Sequence, residues 1–292
     1  MGAGLLGALE RWAAHDRSRT TAEMRSALFA WLREAQAAQP SMALVHQFAA
    51  RALSVANTSM ERGDGPADLR AHLAQSCAAE RDDLRASIDA AALIAAATIT
   101  ERDGWIATLS MSGSVLAALM ALKRAGRRPR VLLAESRPKL EGRDMAKALA
   151  AEGIATWVVA DAALAMLLQN ASAVWLGADA VTEQGVLNKV GSYTLALAAR
   201  EHGVPVHVIA TRRKFIPAAT AALSIAEMPP AEIWEAPPQG VRPRNVYFEM
   251  TPMALLRGVV VEDTVLGATE AALTAEDRGL PDELAAALPQ LG

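Results

Sequence analysis

Between Trp105 and Ile216 short apolar runs alternate with helical spacings. Ile106 to Ser110 leads into a predicted helix over Ser114 to Ala125, and Val131 to Ala134 into one over Gly142 to Ala151. Thr156 to Val159 ends at Asp161 and a short helix, and Val174 to Leu176 ends at Gly177-Ala178-Asp179. A helix beginning near Lys189 is expected to run to Glu201, with Val206 to Ile209 following as a further strand. Continuous apolar strands separated by crossover helices read as a parallel sheet covered on both faces. In such sheets the strands' carboxyl edge receives ligands, and here the polar residues gather where strands end.

The first hundred residues show only the helical period. Met24, Leu28, Leu32 and Ala35 mark one face, and Leu44, Phe48, Ala52 and Val55 a second. Gly63 to Pro66 forms a turn, with Pro66 suited to a helix start. Leu69, Leu73, Cys77, Leu84, Ile88 and Leu93 continue the spacing, and Ala90 to Thr100 reads as a buried helix end. The change of period predicts an α/β protein with a helical N-terminal domain over 1–103 and a Rossmann-like parallel-sheet domain over 104–292. Asp103-Gly104 is the expected boundary. Met228 to Arg244, rich in Pro and Glu, reads as a surface excursion. Val246 to Phe248 and Val259 to Val261 read as late strands, and the residues after Leu266 as an amphipathic helix.

Composition narrows the function classes. An apolar fraction of 52% over 292 residues supports a full core, and a net charge of −3 offers no electrostatic case for nucleic acid or an anionic membrane. The one cysteine, Cys77, has no partner for an internal disulfide. No leader pattern and no membrane-length apolar run is evident, so a cytoplasmic protein is expected. The five histidines show no metal-ligand spacing, and the Walker loop and Gly-x-Ser-x-Gly are absent. Neither a metal nor a cofactor is expected.

Four clusters at predicted strand ends can carry chemistry. Thr108 to Ser114 contains Ser110, Ser112 and Gly113, a small hydroxyl-rich turn that either presents N–H groups to an anion or simply caps a helix. Arg137, in Glu135-Ser136-Arg137-Pro138, either forks onto a phosphate or pairs with Glu135 or Glu141. Asp179 is either a proton-transfer carboxyl with a pKa raised by burial or a turn residue. Asn188 and Lys189, ahead of Gly191-Ser192-Tyr193, offer an amide and an ammonium where a helix should start, as a phosphate or polyol needs.

Glu135-Ser-Arg-Pro, Gly177-Ala-Asp, Asn188-Lys-Val-Gly-Ser-Tyr and Phe248-Glu-Met-Thr-Pro occur in that order. Over about residues 100–265 the chain resembles the family uniting the regulatory α, β and δ subunits of translation initiation factor 2B with sugar-1-phosphate isomerases. Those isomerases act on methylthioribose 1-phosphate or ribose 1,5-bisphosphate. Met145 to Leu149 and Val181 to Lys189 look most like the factor 2B α-type branch.

The resemblance implies a helical domain, a Rossmann-like domain and dimers formed mainly through the latter. The apolar strand Val259 to Val261 suggests the dimer face. In the isomerases a Cys and the Asp of Gly-Ala-Asp carry the proton or hydride shuttling. Asp179 matches that Asp, Ser110 stands where the Cys is expected, Leu109 where its His neighbour is expected, and Asn188 and Lys189 match the ligand-binding pair. The isomerases' Arg-Gly-Ala segment near the N-terminus is not evident. The expectation is therefore a sugar-phosphate-binding protein that is an aldose–ketose isomerase on a ribose 1-phosphate-type substrate. Asp179 and Ser110 are then catalytic, and Arg137, Asn188, Lys189, Ser112 and Gly113 bind a phosphorylated sugar or nucleotide. The competing expectation is a non-catalytic factor 2B-like regulatory or assembly protein.

Overall fold

The computed structural model describes residues 2–99, 104–218 and 227–277. The expected boundary residue Asp103 and the tail beyond Asp277 lie outside the described residues. Four helices come first: α1 (Gly2–His15), α2 (Thr21–Ala38), α3 (Ala43–Arg62) and α4 (Pro66–Ala97). Local chemistry fixes their ends. Thr20 and Glu23 cap α2 reciprocally, Gly63 closes α3 at φ 71°, and Pro66 opens α4 where an N–H would have no partner. Leu6, Leu9, Met24, Leu28, Leu32, Phe48, Leu53, Leu69 and Leu73 bury one core among these helices.

The α/β part follows as β1 (Trp105–Thr108), α5 (Gly113–Arg124), β2 (Arg130–Ala134), α6 (Glu141–Ala151), β3 (Ala155–Val159), α7 (Leu164–Leu167) and β4 (Ala171–Leu176). It continues with β5 (Ala180–Thr182), β6 (Gly185–Lys189), α8 (Ser192–Glu201), β7 (Val206–Ile209), β8 (Phe248–Pro252), β9 (Gly258–Val260), β10 (Val265–Leu266) and α9 (Ala268–Glu276). The main sheet runs β10-β9-β7-β4-β1-β2-β3, parallel throughout except for the β9–β10 pair.

Alternation along each strand sorts the two faces. Ile106, Val131, Leu133, Ala173 and Trp175 face α5 and α6, whereas Ala107, Leu132, Val174, Leu176 and Val208 face the side of α7, α8 and α9. At 1.5 Å per residue the 32-residue α4 spans about 48 Å. Its first half fills the helical core, while Ala91, Ala92 and Ala95 pack beside α5 under the sheet. The Ala-rich stretch is thus a buried helix end whose small side chains let α4 approach α5 closely.

Three expectations need correction. Val259, Val260 and Val261 are fully buried inside the chain between β7 and β10, so they cannot be a dimer face. The sheet is not covered everywhere: β3 is its edge, and Trp157 and Val158 there are exposed. No helix begins at Lys189, which closes β6 in a separate antiparallel sheet β5-β6-β8. That sheet starts as a tight hairpin, with the Thr182 hydroxyl accepting from the N–H groups of Gln184 at 3.2 Å and Gly185 at 3.3 Å. No helix among the described residues is long and apolar enough to cross a membrane.

Candidate functional site

Strands β1, β2 and β3 wind away from the sheet centre one way, and β4, β7 and β9 the other. The reversal falls between β1 and β4, so the loops leaving those two strands diverge and open a crevice at the carboxyl edge. Ser110 and Ser112 lie on the first loop and Gly177 to Asp179 on the second.

Glycine lets the two loops approach. A Cβ on Gly177 would stand 2.5 Å from Ser112 Oγ and 3.7 Å from Asn188 Oδ1, so Ser112, Gly177 and Asn188 meet at one point. Ser112 Oγ also caps α5 through Val115 N–H at 3.4 Å. The loop after β2 packs against Ser110. The buried Ser136 hydroxyl accepts from Ser110 N–H at 2.7 Å, and the Asp161 carboxylate accepts from the N–H groups of Ser136 (2.7 Å) and Arg137 (2.8 Å). Ser110 and Ser136 both hold positive φ, 61° and 65°. Such backbone is uncommon for residues other than glycine and concentrates at functional loops.

The floor of the crevice is charged. Lys189, 3% exposed, donates to Glu141 Oε1 at 2.9 Å and lies 5.0 Å from the centre of the Tyr247 ring. Asn188 Nδ2 donates to Ser192 Oγ at 2.9 Å. Asp179 keeps a partly accessible surface, yet burial dominates and pushes its carboxyl up from the ordinary aspartate value. The cations of Lys214 and Lys189 oppose that rise, and the Glu141 carboxylate adds to it. Lys214 is its counterpart, drawn down by burial and held up in part by Asp179. Low accessible area combined with dense surroundings means that solvent screens these charges poorly.

The residues expected from sequence do not all meet. Asp179 and Lys189 share the floor, Asn188 and Ser112 meet at Gly177, and Ser110 is tied to the loop after β2 through Ser136. Gly113 and Arg137 are exposed at the rim, and the Arg137 guanidinium has no ion-pair partner among the described residues. Two expectations of phosphate binding change. Among the described residues, Lys189 and Lys214 on the floor are matched by Asp179 and Glu141, leaving no surplus cation for a phosphate. The N-terminus of α8 is already taken: Glu249 Oε1 accepts from Gly191 N–H at 2.7 Å and Tyr193 N–H at 2.8 Å.

Sequence reasoning missed three site residues. Glu141 was weighed only as a partner for Arg137. Glu249 was part of a recognised motif without a role, and Lys214 lies in Arg212-Arg213-Lys214, which reads as a solvated basic run. A lysine preceding the fully buried Phe215-Ile216 was the available signal.

A helical bundle joined to a doubly wound sheet, with a charge-balanced cluster at the switch point, defines the class as a two-part α/β protein. The chain belongs to the Initiation factor 2 subunit family, whose pattern it matches over residues 1–268. It is 38% identical over 159 residues to a translation initiation factor eIF-2B subunit 2-like protein of Pyrococcus furiosus, covering 54% of this chain and 55% of that one. It is 36% identical over 166 residues to the methylthioribose-1-phosphate isomerase of Desulforudis audaxviator, covering 53% and 47%. The chain thus spans about half the length of the curated relatives it matches. The crystal structure of Pyrococcus horikoshii translation initiation factor eIF-2B superposes with a TM-score of 0.75 and 26% identity, covering 91% of this chain and 89% of that one.

Proposed function

We propose that the chain binds a phosphorylated sugar in the crevice between the β1 and β4 loops and acts as an aldose–ketose isomerase on a ribose 1-phosphate-type substrate. The observation that carries this reading is the Asp179 carboxyl, raised by burial at the switch point between two cations. A carboxyl raised above its usual range holds a proton more firmly than a free aspartate and is the stronger base, which suits the proton transfers of ring opening and of moving hydrogen from C2 to C1. Asp179 takes that role, and the Ser110 hydroxyl donates to a sugar oxygen.

The floor suits hydroxyls rather than phosphate. Glu141 Oε2 is buried without a hydrogen-bond partner among the described residues, an open acceptor for a sugar O–H. Lys189 and Asn188 supply donors beside it. The phosphate then lies at the rim, on the N-terminus of α5 at Ser112 and Gly113 and against the exposed Arg137. A homodimer and a cytoplasmic setting go with this reading; light scattering and cell fractionation test them.

The second reading is a regulatory or assembly protein of the initiation factor 2B type that uses the crevice without chemistry. Ser110 favours it, because a hydroxyl needs a neighbouring base where a thiol would not. One experiment separates the two. Ribose 1-phosphate is titrated calorimetrically and its conversion followed by NMR, in the wild type and in two variants. Lys189→Ala should weaken binding about tenfold, equal to about 1.4 kcal/mol. Asp179→Asn should bind but form no ketose. Binding without ketose from the wild type leaves the regulatory reading, and no binding of phosphorylated sugars ends both.

A further inference from the structure

Lys214 ends the short 3-10 turn Arg212–Lys214 that follows β7. The turn is held against the Asp179 loop by backbone contacts: Phe215 bridges Val181 in parallel, and Ile216 N–H donates to the Val181 carbonyl at 3.0 Å. Behind it Ile216, Ala180, Leu187 and Ala43 form a small apolar cluster that excludes water from that side. From this position Lys214 Nζ donates to the carbonyl of Ala178 at 2.5 Å, one residue before Asp179. An ammonium placed in so closed a site is costly unless a carboxylate answers it.

Three charged groups among the described residues face the Asp179 carboxyl: Lys214 from the turn after β7, Lys189 from β6 and Glu141 from α6. Their commitments differ. Lys189 is bound to Glu141 at 2.9 Å and lies against Tyr247. Lys214 makes no ion pair within 4.0 Å with any carboxylate among the described residues, Asp179 included; its ammonium is fixed by the Ala178 carbonyl, on the backbone one residue before Asp179. We propose that Lys214 is a positioning residue that sets the charge state of Asp179 and keeps its carboxylate available as a base in a chain with Ser110 in the place of a thiol.

The purpose of this device rests on the isomerase reading; its existence does not. Burial pushes the Asp179 carboxyl up, and Lys214 opposes that rise more than any other group named. Without the ammonium, burial and Glu141 are left to hold the proton on Asp179. The carboxyl then titrates at higher pH, and less of it is ionised at any given pH. An arginine at position 214 keeps a cation in place, so charge rather than shape should restore the wild-type behaviour.

Carboxyl-carbon NMR of aspartate-labelled protein tests this, with Asp179→Asn assigning the resonance. In Lys214→Met the Asp179 midpoint should move to higher pH, and in Lys214→Arg it should return toward the wild-type value. An unchanged midpoint in folded Lys214→Met overturns the proposal. Should Lys214→Met not fold, the wild-type Lys214 Cε resonance is followed instead. It should show an inflection at the Asp179 midpoint, and a flat profile overturns the proposal equally. A shifted midpoint in a protein that converts no sugar phosphate sinks the isomerase reading and leaves this one standing.

Discussion

Glu249 holds the N–H of Gly191 at 2.7 Å, so a carboxylate from β8 occupies the anion position at the start of α8. The same oxygen takes Tyr193 N–H at 2.8 Å. Gly191 adopts φ 103°, which turns the chain from β6 into α8 and aims these N–H groups at the neighbouring strand. Hydrogen bonds from backbone donors to a charged acceptor contribute about 1.5–3 kcal/mol. Because Glu249 is only half-buried, Glu249→Ala should cost about 1–2 kcal/mol in urea unfolding, and Glu249→Gln less. The vacated helix start should also bind inorganic phosphate, so phosphate should raise the Tm of the alanine variant more than that of the wild type. Equal responses of the two proteins would show that the helix start is not an anion site.

Gly142 should tolerate no side chain. A Cβ there would stand 1.9 Å from the Ala134 carbonyl oxygen and 3.0 Å from two further backbone carbons. These are atoms of β2 and its exit, which cannot rotate away. This close approach seats the first turn of α6 on the end of β2 and delivers Glu141 to the floor of the crevice. Gly142→Ala should cost about 3 kcal/mol or more by urea unfolding, the range of severe steric change in a packed interior. Gly113→Ala is the matched control, since nothing lies within 4 Å of a Cβ there. A loss of under about 1 kcal/mol at position 142 would mean that α6 can slide, and Glu141 would not be fixed by the fold.

The main sheet was legible because its central strands are buried on both faces, so Ile106, Val131 to Ala134 and Val174 to Leu176 form unbroken apolar runs. The β5–β6 hairpin was not. Its residues are buried on all sides while including Thr182, Asn188 and Lys189, so neither alternation nor a continuous apolar run marks it. The helix placed at Lys189 came from the polar run Asn188-Lys189 before Gly191, which resembles a cap. Tertiary pairing of Asn188 with Glu249 in the β6–β8 ladder decides otherwise. The site's loops were visible as polar residues at strand ends. Its charge balance was not, because Glu141, Lys189 and Lys214 are 25 or more residues apart and look like ordinary surface charges.

His46 gives the fold a pH dependence on the acid side. It is fully buried in the first turn of α3, with Nε2–H donating to the Pro40 carbonyl at 2.9 Å and Nδ1 accepting from Gln36 at 3.0 Å. Burial holds its pKa below the ordinary 6.5, against the opposing pull of the Pro40 bond. The folded state therefore resists protonation that the unfolded chain accepts. Its contribution is complete above about pH 6.5 and is lost as pH falls through the lowered folded value, at no more than about 1.4 kcal/mol per unit. His207, lowered by burial and by Arg257, acts in the same direction. His46→Gln should be less stable at pH 8 by about 1–2 kcal/mol and should show a shallower loss between pH 6.5 and 5. Urea titrations across that range measure both, and an unchanged slope would mean that His46 titrates alike in the folded and unfolded chain. This helix start matters to the site, because the N–H of Ala43, its first residue, donates to the Asp179 carbonyl at 3.0 Å.

Lys189 and Glu141 should be strongly coupled, and the coupling decides what the floor of the crevice can hold. Lys189 is 3% exposed and Glu141 about a third exposed, so the pair is only partly screened. Lys189→Met removes the cation between Glu141 and Asp179 and leaves two carboxylates facing each other in a narrow site. Breaking a fully buried pair costs about 3–5 kcal/mol, and the exposure of Glu141 brings the expectation to about 2–3. Glu141→Gln alone should cost less, since water reaches that end of the pair. The double variant should be more stable than the two losses added together, with an interaction energy of about 1–2 kcal/mol by urea unfolding. Glu141→Gln also leaves the floor with one surplus positive charge. If a balanced floor keeps phosphate at the rim, this variant alone should gain affinity for inorganic phosphate at low ionic strength and lose the gain in high salt. A wild type that already binds phosphate as tightly as Glu141→Gln would place the anion on Lys189 and overturn the division of the crevice into a hydroxyl-binding floor and a phosphate-binding rim.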